Sequence, residues 1–262
     1  MYHLLRTSTA HETRGQSWSG DTMEESIALC PAQTIEPFFL QYLPRTGRIL
    51  ESGCGMGRWV FYLRRRGFDV EGIDLSEPAL AAAHAYDPDT PIRRDDVLHA
   101  AYPDGHFDAA ISLGVVEHFE DGPYVALQEL HRLLKAGGTL CISVPTQNLM
   151  RHLVTNAMKR VYRWLQERRG ESFIFEEYRY TRSHFSRILM DAGFEIVTMV
   201  PDDFLPPRNM GLAVDFPFLR HPSRKWELNG AGRILRTCTA ALSPWWTCAG
   251  TFWVCRKQTI AH

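Results

Sequence analysis

The sequence predicts an α/β fold, a doubly wound parallel sheet, and three observations predict it. Short apolar runs alternate with helical stretches from Arg48 onward. The first run, Arg48-Ile49-Leu50, ends in Glu51-Ser52 and then in glycines at alternate positions, Gly53, Gly55 and Gly57. About 20 residues further on, a second apolar run ends in Asp74. Glycines at such a turn let the backbone swing sharply from strand to helix and let a ligand approach with no Cβ in the way. A carboxylate at the end of the next strand accepts two hydrogen bonds from a ribose diol. Together they read as a nucleoside site across the ends of strands one and two.

The elements follow in order. Residues 1–46 form an N-terminal helical or lid segment. Residues 1–22 are polar and read as loop or loose helix, and helix formers from Thr22 to Leu43 are split by Pro31 and Pro37. The opening Met1–Thr7 lacks the apolar core of a signal peptide, so no leader is expected. Residues 47–146 are the binding core, with strands at 48–52, 69–73, 91–94, 107–112 and 139–144. Helices fall at 57–66, 78–85 and 122–135, the last opened by Pro123 and stopped by Gly137-Gly138.

The alternation then stops. Residues 147–180 read as a cap insertion in which Leu149, Leu153, Ala157, Val161 and Leu165 share one helical face. Arg151, Lys159, Arg160, Arg163, Arg168 and Arg169 surround them, and Glu167 is the sole acid between 151 and 169. Three readings are open, in this order: an apolar seam packed on the domain, a lid over the acceptor pocket, and a membrane-surface helix. Residues 181–200 resume the core with a helix over 183–192, capped by Thr181 or Ser183, and a sixth strand. Residues 201–244 form a proline-rich second insertion, and 245–262 the final core strand and tail.

Composition narrows the classes. A hydrophobic content of 45% supports a real core, and a net charge of −1 argues against a nucleic-acid binder working through bulk electrostatics. The six cysteines form no C-x-x-C pair, which fits reduced thiols in a cytoplasmic protein. Cys54, inside the glycine turn, is expected to be a small buried side chain. No window of eighteen apolar residues spans a membrane. His152, His184 and the carboxylates lack a metal-ligand spacing, so no metal is expected.

The glycine spacing chooses the nucleoside. The dinucleotide fingerprint is G-x-G-x-x-G, whereas here Arg58 stands where its third glycine belongs. Glu51 would also face an anionic pyrophosphate. A carboxylate there suits S-adenosylmethionine, which carries an ammonium and a sulfonium and no phosphate.

With those residues in view, the stretch from about 48 to 145 resembles the class I S-adenosylmethionine-dependent methyltransferases of the small-molecule type. Glu51–Gly57 looks like motif I, Gly72–Ser76 like motif II, Arg94–Val97 like the adenine segment, Phe107–Phe119 like motif IV and its loop, and Leu133–Leu140 like the turn into strand five. Two departures are minor: Glu51-Ser52 opens motif I, and Ala100-Ala101 replaces a commoner Leu-Pro. The resemblance implies a Rossmann-like seven-stranded sheet of order 3-2-1-4-5-7-6, with the last strand antiparallel and helical cap insertions. It also implies roles. Glu51 lies near the cofactor ammonium, Gly53 and Gly55 against the methionine moiety, and Gly57 completes the turn. Asp74 takes the ribose, Leu75 packs on adenine, and Asp96 with the Val97 amide meets the adenine edge, Asp95 being the rival of Asp96. Leu113 forms the floor below the sulfonium, and Trp18 is a lid aromatic or a plain hydrophobic plug. Asp108 is structural.

The implied activity is methyl transfer from S-adenosyl-L-methionine, leaving S-adenosyl-L-homocysteine, to an oxygen of a natural product or of a glycan or lipid precursor. An N- or C-methyltransferase and a non-catalytic S-adenosylmethionine-binding protein are the alternatives. An oxygen acceptor needs a base, for which His118 is the first candidate and His184, with Tyr178 and Tyr180, the second. The expected partner is a small molecule, not nucleic acid, with a membrane surface ranked last.

Overall fold

Described by the computed structural model are residues 1–7, 22–204, 210–224 and 227–259, so Trp18 and Trp226 lie outside the described residues. The chain opens with strand β1 (Tyr2–Thr7), then α1 (Met23–Ala28), a 3-10 turn at Cys30–Ala32, and α2 (Glu36–Tyr42). Pro31 and Pro37 divide this stretch as expected, each in the first turn of its element. Thr22 and Glu25 cap α1 reciprocally.

The core alternates β2 (Arg48–Ser52), α3 (Arg58–Arg65), β3 (Asp69–Asp74), α4 (Glu77–Tyr86), β4 (Ile92–Arg94), β5 (Phe107–Leu113), α5 (Tyr124–Leu133) and β6 (Leu134–Pro145). The cap follows as a π-helical turn (Arg151–Thr155), α6 (Asn156–Glu167) and β7 (Phe173–Arg179). The chain then runs through α7 (Arg182–Asp191), β8 (Phe194–Asp202), α8 (Met210–Asp215), α9 (Gly230–Leu242) and β9 (Gly250–Lys257). Thr181 is the residue that caps α7, accepting the His184 N–H.

Seven strands form one sheet in the order β4-β3-β2-β5-β6-β9-β8, with β9 antiparallel to both neighbours. Counted along the chain within this sheet, that is the expected 3-2-1-4-5-7-6. Both faces are covered, and successive residues go to opposite sides. Leu50, Ala110, Leu140 and Ile142 pack toward α5 and α7. Ile49, Ala109, Ile111 and Cys141 pack toward α1 to α4.

Three expectations are corrected. Residues 2–7 are a strand and not loop: β1 pairs antiparallel with β7, from Tyr2 opposite Arg179 to Thr7 opposite Phe173. The helix predicted over 122–135 ends at Leu133, because Leu134 turns extended and pairs with Phe107. The apolar seam of α6 does not pack on the domain. Its polar side does, drawn in by the buried carboxylate of Asp215. That carboxylate holds Arg151 at 2.6 Å, Arg179 at 3.3 Å and Lys159 at 3.6 Å. Burial works to raise the Asp215 carboxyl, and the two guanidinium groups outweigh it and hold it below the usual carboxylate range. Arg151 also donates to the Ala249 carbonyl at 2.8 Å, fastening the cap to the entry of β9.

Candidate active site

β2, β3, β5 and β6 run parallel, so their carboxyl ends share one edge, and the predicted site residues gather there. The glycine turn is locked onto β3: the N–H groups of Gly53 and Cys54 both donate to the Ile73 carbonyl, at 2.8 and 3.0 Å. Gly53, Gly55 and Gly57 all have positive φ, where a side chain is strained. A Cβ on Gly53 would stand 2.4 Å from Val115, and one on Gly57 2.1 Å from Ile92. Cys54 is buried, as expected, against the bare face of Gly72, and burial pushes its thiol well up.

Glu51 and Asp74 flank this cradle. Asp74 accepts the Gly55 N–H at 2.7 Å on one oxygen and the Ser76 N–H at 2.8 Å on the other. A carboxylate has about four acceptor positions, so each oxygen keeps one for a ribose hydroxyl. Glu51 is buried, and one of its oxygens has no hydrogen-bond partner among the described residues. Burial pushes its carboxyl up to about 8, against the opposing pull of Arg58. An orphaned buried carboxylate oxygen beside a cradle of glycines fits a cation, and the ammonium of S-adenosylmethionine is one.

The adenine segment separates the two aspartates. Asp95 is occupied by the loop itself: it accepts the N–H groups of Asp96 and Ala101 and pairs with Arg93 at 3.1 Å. Among the described residues the Asp96 carboxylate accepts the Leu98 N–H alone, at 2.9 Å on one oxygen. Val97 is buried, and its N–H donates to no described residue. Leu75 stands open beside Asp74, half exposed. Leu113 ends β5 and is partly covered. Asp108 lies at the other end of β5 and holds the Arg48 N–H and the Lys135 ammonium, so its work is structural.

His118 sits in the 3-10 turn after β5 (Val116–His118), and its Nδ1 lies 2.9 Å from the Glu176 carbonyl on β7. A carbonyl only accepts, so Nδ1 carries a proton, and Nε2 keeps its lone pair whenever the ring is neutral. Glu117, His118 and Glu177 bring one ligand atom each within 4.8 Å of one another. No local spacing announces this group, since β7 comes from the cap. Glu177 is also paired with Arg179 at 3.0 Å. His184 stands on α7 behind Tyr180, ring centroids 5.9 Å apart, and burial lowers its pKa.

Two polar groups at this edge, Gln147 and Asp202, were missed by sequence reasoning, and a third, Tyr180, was expected only as a companion of His184. Tyr180 is fully buried, and its hydroxyl has no hydrogen-bond partner among the described residues. Gln147, whose N–H donates to the Tyr180 carbonyl at 2.8 Å, has both side-chain amide atoms buried and unsatisfied there. Asp202 ends β8, and burial with the charge of Asp203 pushes it up to about 7. Only the aromatic run through Tyr180 hinted at any of them. An open cleft lined by Asp104, His131, Arg132 and Lys257 lies at the opposite end of the sheet, away from this cradle.

Residues 24–199 match the family model described as a methyltransferase domain, about two-thirds of the chain. The chain belongs to that family. It is 33% identical over 129 residues to a ubiquinone biosynthesis O-methyltransferase of Alkalilimnicola ehrlichii, covering 45% of this chain and 52% of that one. It is 35% identical over 96 residues to an uncharacterised methyltransferase of Mycobacterium tuberculosis, covering 36% and 48%. The methyltransferase thus spans about half the length of the curated relatives it matches. Its fold is that of a Haloferax volcanii methyltransferase solved with the activator Trm112 (TM-score 0.63, 18% identity, 94% of this chain and 98% of that one). It is also that of an S-adenosylmethionine-dependent methyltransferase of Methanosarcina mazei (TM-score 0.58, 19% identity, 85% and 97%).

Proposed function

We propose that this methyltransferase methylates an oxygen of a small molecule, a natural product or a glycan or lipid precursor, with His118 as the base. The observation that carries this reading is the anchoring of His118 Nδ1 on the Glu176 carbonyl, which fixes the ring at the carboxyl edge with Nε2 4.0 Å from the Glu117 carboxylate. When bound, S-adenosylmethionine supplies an activated methyl group on a sulfonium. Glu51 meets the ammonium, Asp74 the ribose and Asp96 the adenine amino group, while the glycine turn lets the ligand close on the backbone. Because the methyl carbon is already activated, the chain's remaining task is to orient the acceptor and take its proton. His118 Nε2 takes that proton, and the neighbouring Glu117 carboxylate stabilises the imidazolium that results. Tyr180 and Gln147 offer a hydroxyl and an amide to a polar acceptor entering a mouth otherwise lined by aromatic rings. The name of the Alkalilimnicola relative supports oxygen as the acceptor atom.

The test is label transfer from methyl-labelled S-adenosylmethionine into a fractionated extract, followed by His118→Gln on the acceptor found. The variant is expected to lose about 10²–10⁴-fold in kcat and keep its affinity for S-adenosylhomocysteine. Turnover at the wild-type rate would remove the base from the mechanism. Label that fails to enter any fraction, from protein that binds S-adenosylhomocysteine, would favour a binding protein.

A further inference from the structure

A run of exposed apolar side chains lies along α6 and the π-helical turn before it, and the helix is turned inside out. Thr155 and Asn156 are buried, and Lys159, Arg163 and Gln166 are partly covered, all on the side that meets the domain. On the other side Leu153, Met158, Val161, Tyr162, Trp164 and Leu165 stand open, Leu153 being 63% and Val161 59% exposed. A surface helix of a soluble protein ordinarily presents the reverse. Among the described residues nothing covers this face, and α6 packs extensively against no described element except the π-helical turn it continues.

The charge around the face has one sign. Arg160, Arg168 and Arg169 are exposed beside it, and the one acid, Glu167, is paired with Arg163 at 3.8 Å. The Arg168 guanidinium lies over the Trp164 ring, 3.8 Å from its centroid, so an aromatic and a cation leave the helix together. The second insertion repeats the composition: Phe218 is 70% exposed, and α9 carries an open Ile234 between Arg233 and Arg236 with no acid along its length.

We propose that this face docks on an anionic lipid bilayer. α6 lies in the interface plane with its apolar side chains among the acyl chains and its arginines at the headgroup phosphates. Two observations favour a bilayer over a protein. The apolar side chains form a ridge, which a fluid interface closes around without the matching groove a partner would need. The basic rim opposes a second copy of itself and is complementary to negative charge. Tyr162 and Trp164 are the residue types that settle at headgroup depth.

The full chain is mixed with vesicles of phosphatidylcholine alone, or of phosphatidylcholine with phosphatidylglycerol, and floated through a density gradient. The protein is expected to rise with the anionic vesicles, to fall away from them as salt is raised, and to stay behind with the neutral ones. A Val161→Asp/Leu165→Asp variant alters only open side chains. It is expected to lose flotation while keeping wild-type Tm and S-adenosylhomocysteine affinity, a readout independent of any turnover. Wild-type protein left in solution with anionic vesicles would overturn the proposal, as would a double variant that floats like the wild type. A concentration-dependent dimer that the same variant breaks, with no flotation, would assign the face to self-association instead.

Discussion

A carboxyl group sealed from water, as Glu51 is, prefers to stay neutral. Its pKa of about 8 in the folded chain stands against an ordinary 4.5. Between those values the unfolded chain has released a proton that the folded chain keeps. The stability tied to the neutral form is whole below 4.5 and is lost as pH rises toward 8, by up to about 1.4 kcal/mol per unit. Asp202, at about 7, acts in the same direction. A cofactor ammonium beside Glu51 favours the ionised form, so affinity for S-adenosylhomocysteine should strengthen as pH rises to 8. Glu51→Gln should flatten part of the fall in Tm between pH 5 and 8 and weaken cofactor binding at pH 8, read by thermal unfolding and calorimetry. An unchanged pH slope in the variant would exclude Glu51 as its source. Glu51, Asp74 and Asp96 could be proposed from the sequence because each sits at a fixed place in a contiguous motif. Gln147 and Asp202 could not, and Tyr180 only as a companion of His184. What distinguishes them is an atom or charge that burial leaves uncompensated, and burial is settled by residues far away in the chain.

At the scale of elements, β7 couples the cap to the loop that carries His118, since its Glu176 carbonyl holds His118 and β1 holds β7. Without β1, β7 would have no strand partner on either edge, and the histidine would lose a rigid anchor. Deleting residues 1–7 should raise hydrogen exchange across 173–179 and cut kcat well before it alters S-adenosylhomocysteine affinity. Equal losses in both would show that β1 supports the whole site rather than His118. This pairing escaped the sequence because its partners lie some 170 positions apart, and a six-residue strand carries too little pattern to announce itself. α6 was half legible for a different reason. Periodicity divides a helix into two faces but does not say which turns inward. That choice rests with Asp215, whose buried charge recruits Arg151 and Lys159 from the cap and so brings the polar side in.

For the molecule as a whole, alternation of strand and helix fixes most of the sheet through the right-handed crossover rule. The slot taken by β9 was legible only through family resemblance, since an antiparallel strand arriving after two insertions has no local rule to follow. The fold's selectivity can be read in one property of the intact chain. S-adenosylhomocysteine at a hundredfold excess over its Kd should raise Tm by roughly 5–10 °C, and a nicotinamide dinucleotide at the same concentration should leave it unchanged. Stabilisation by the dinucleotide would contradict the meaning given to Arg58 and Glu51.

β9 lies between β6 and β8 and is buried from Gly250 to Cys255. During synthesis the sheet therefore waits for residues 250–257 to leave the ribosome. Until they arrive, β6 and β8 each present a long apolar strand with an unpaired edge, the kind of surface that templates aggregation. A premature stop between residues 203 and 250 would then yield an open-edged product for proteases and chaperones to deal with, and not a smaller folded protein. Every motif of the cofactor cradle would already have been translated.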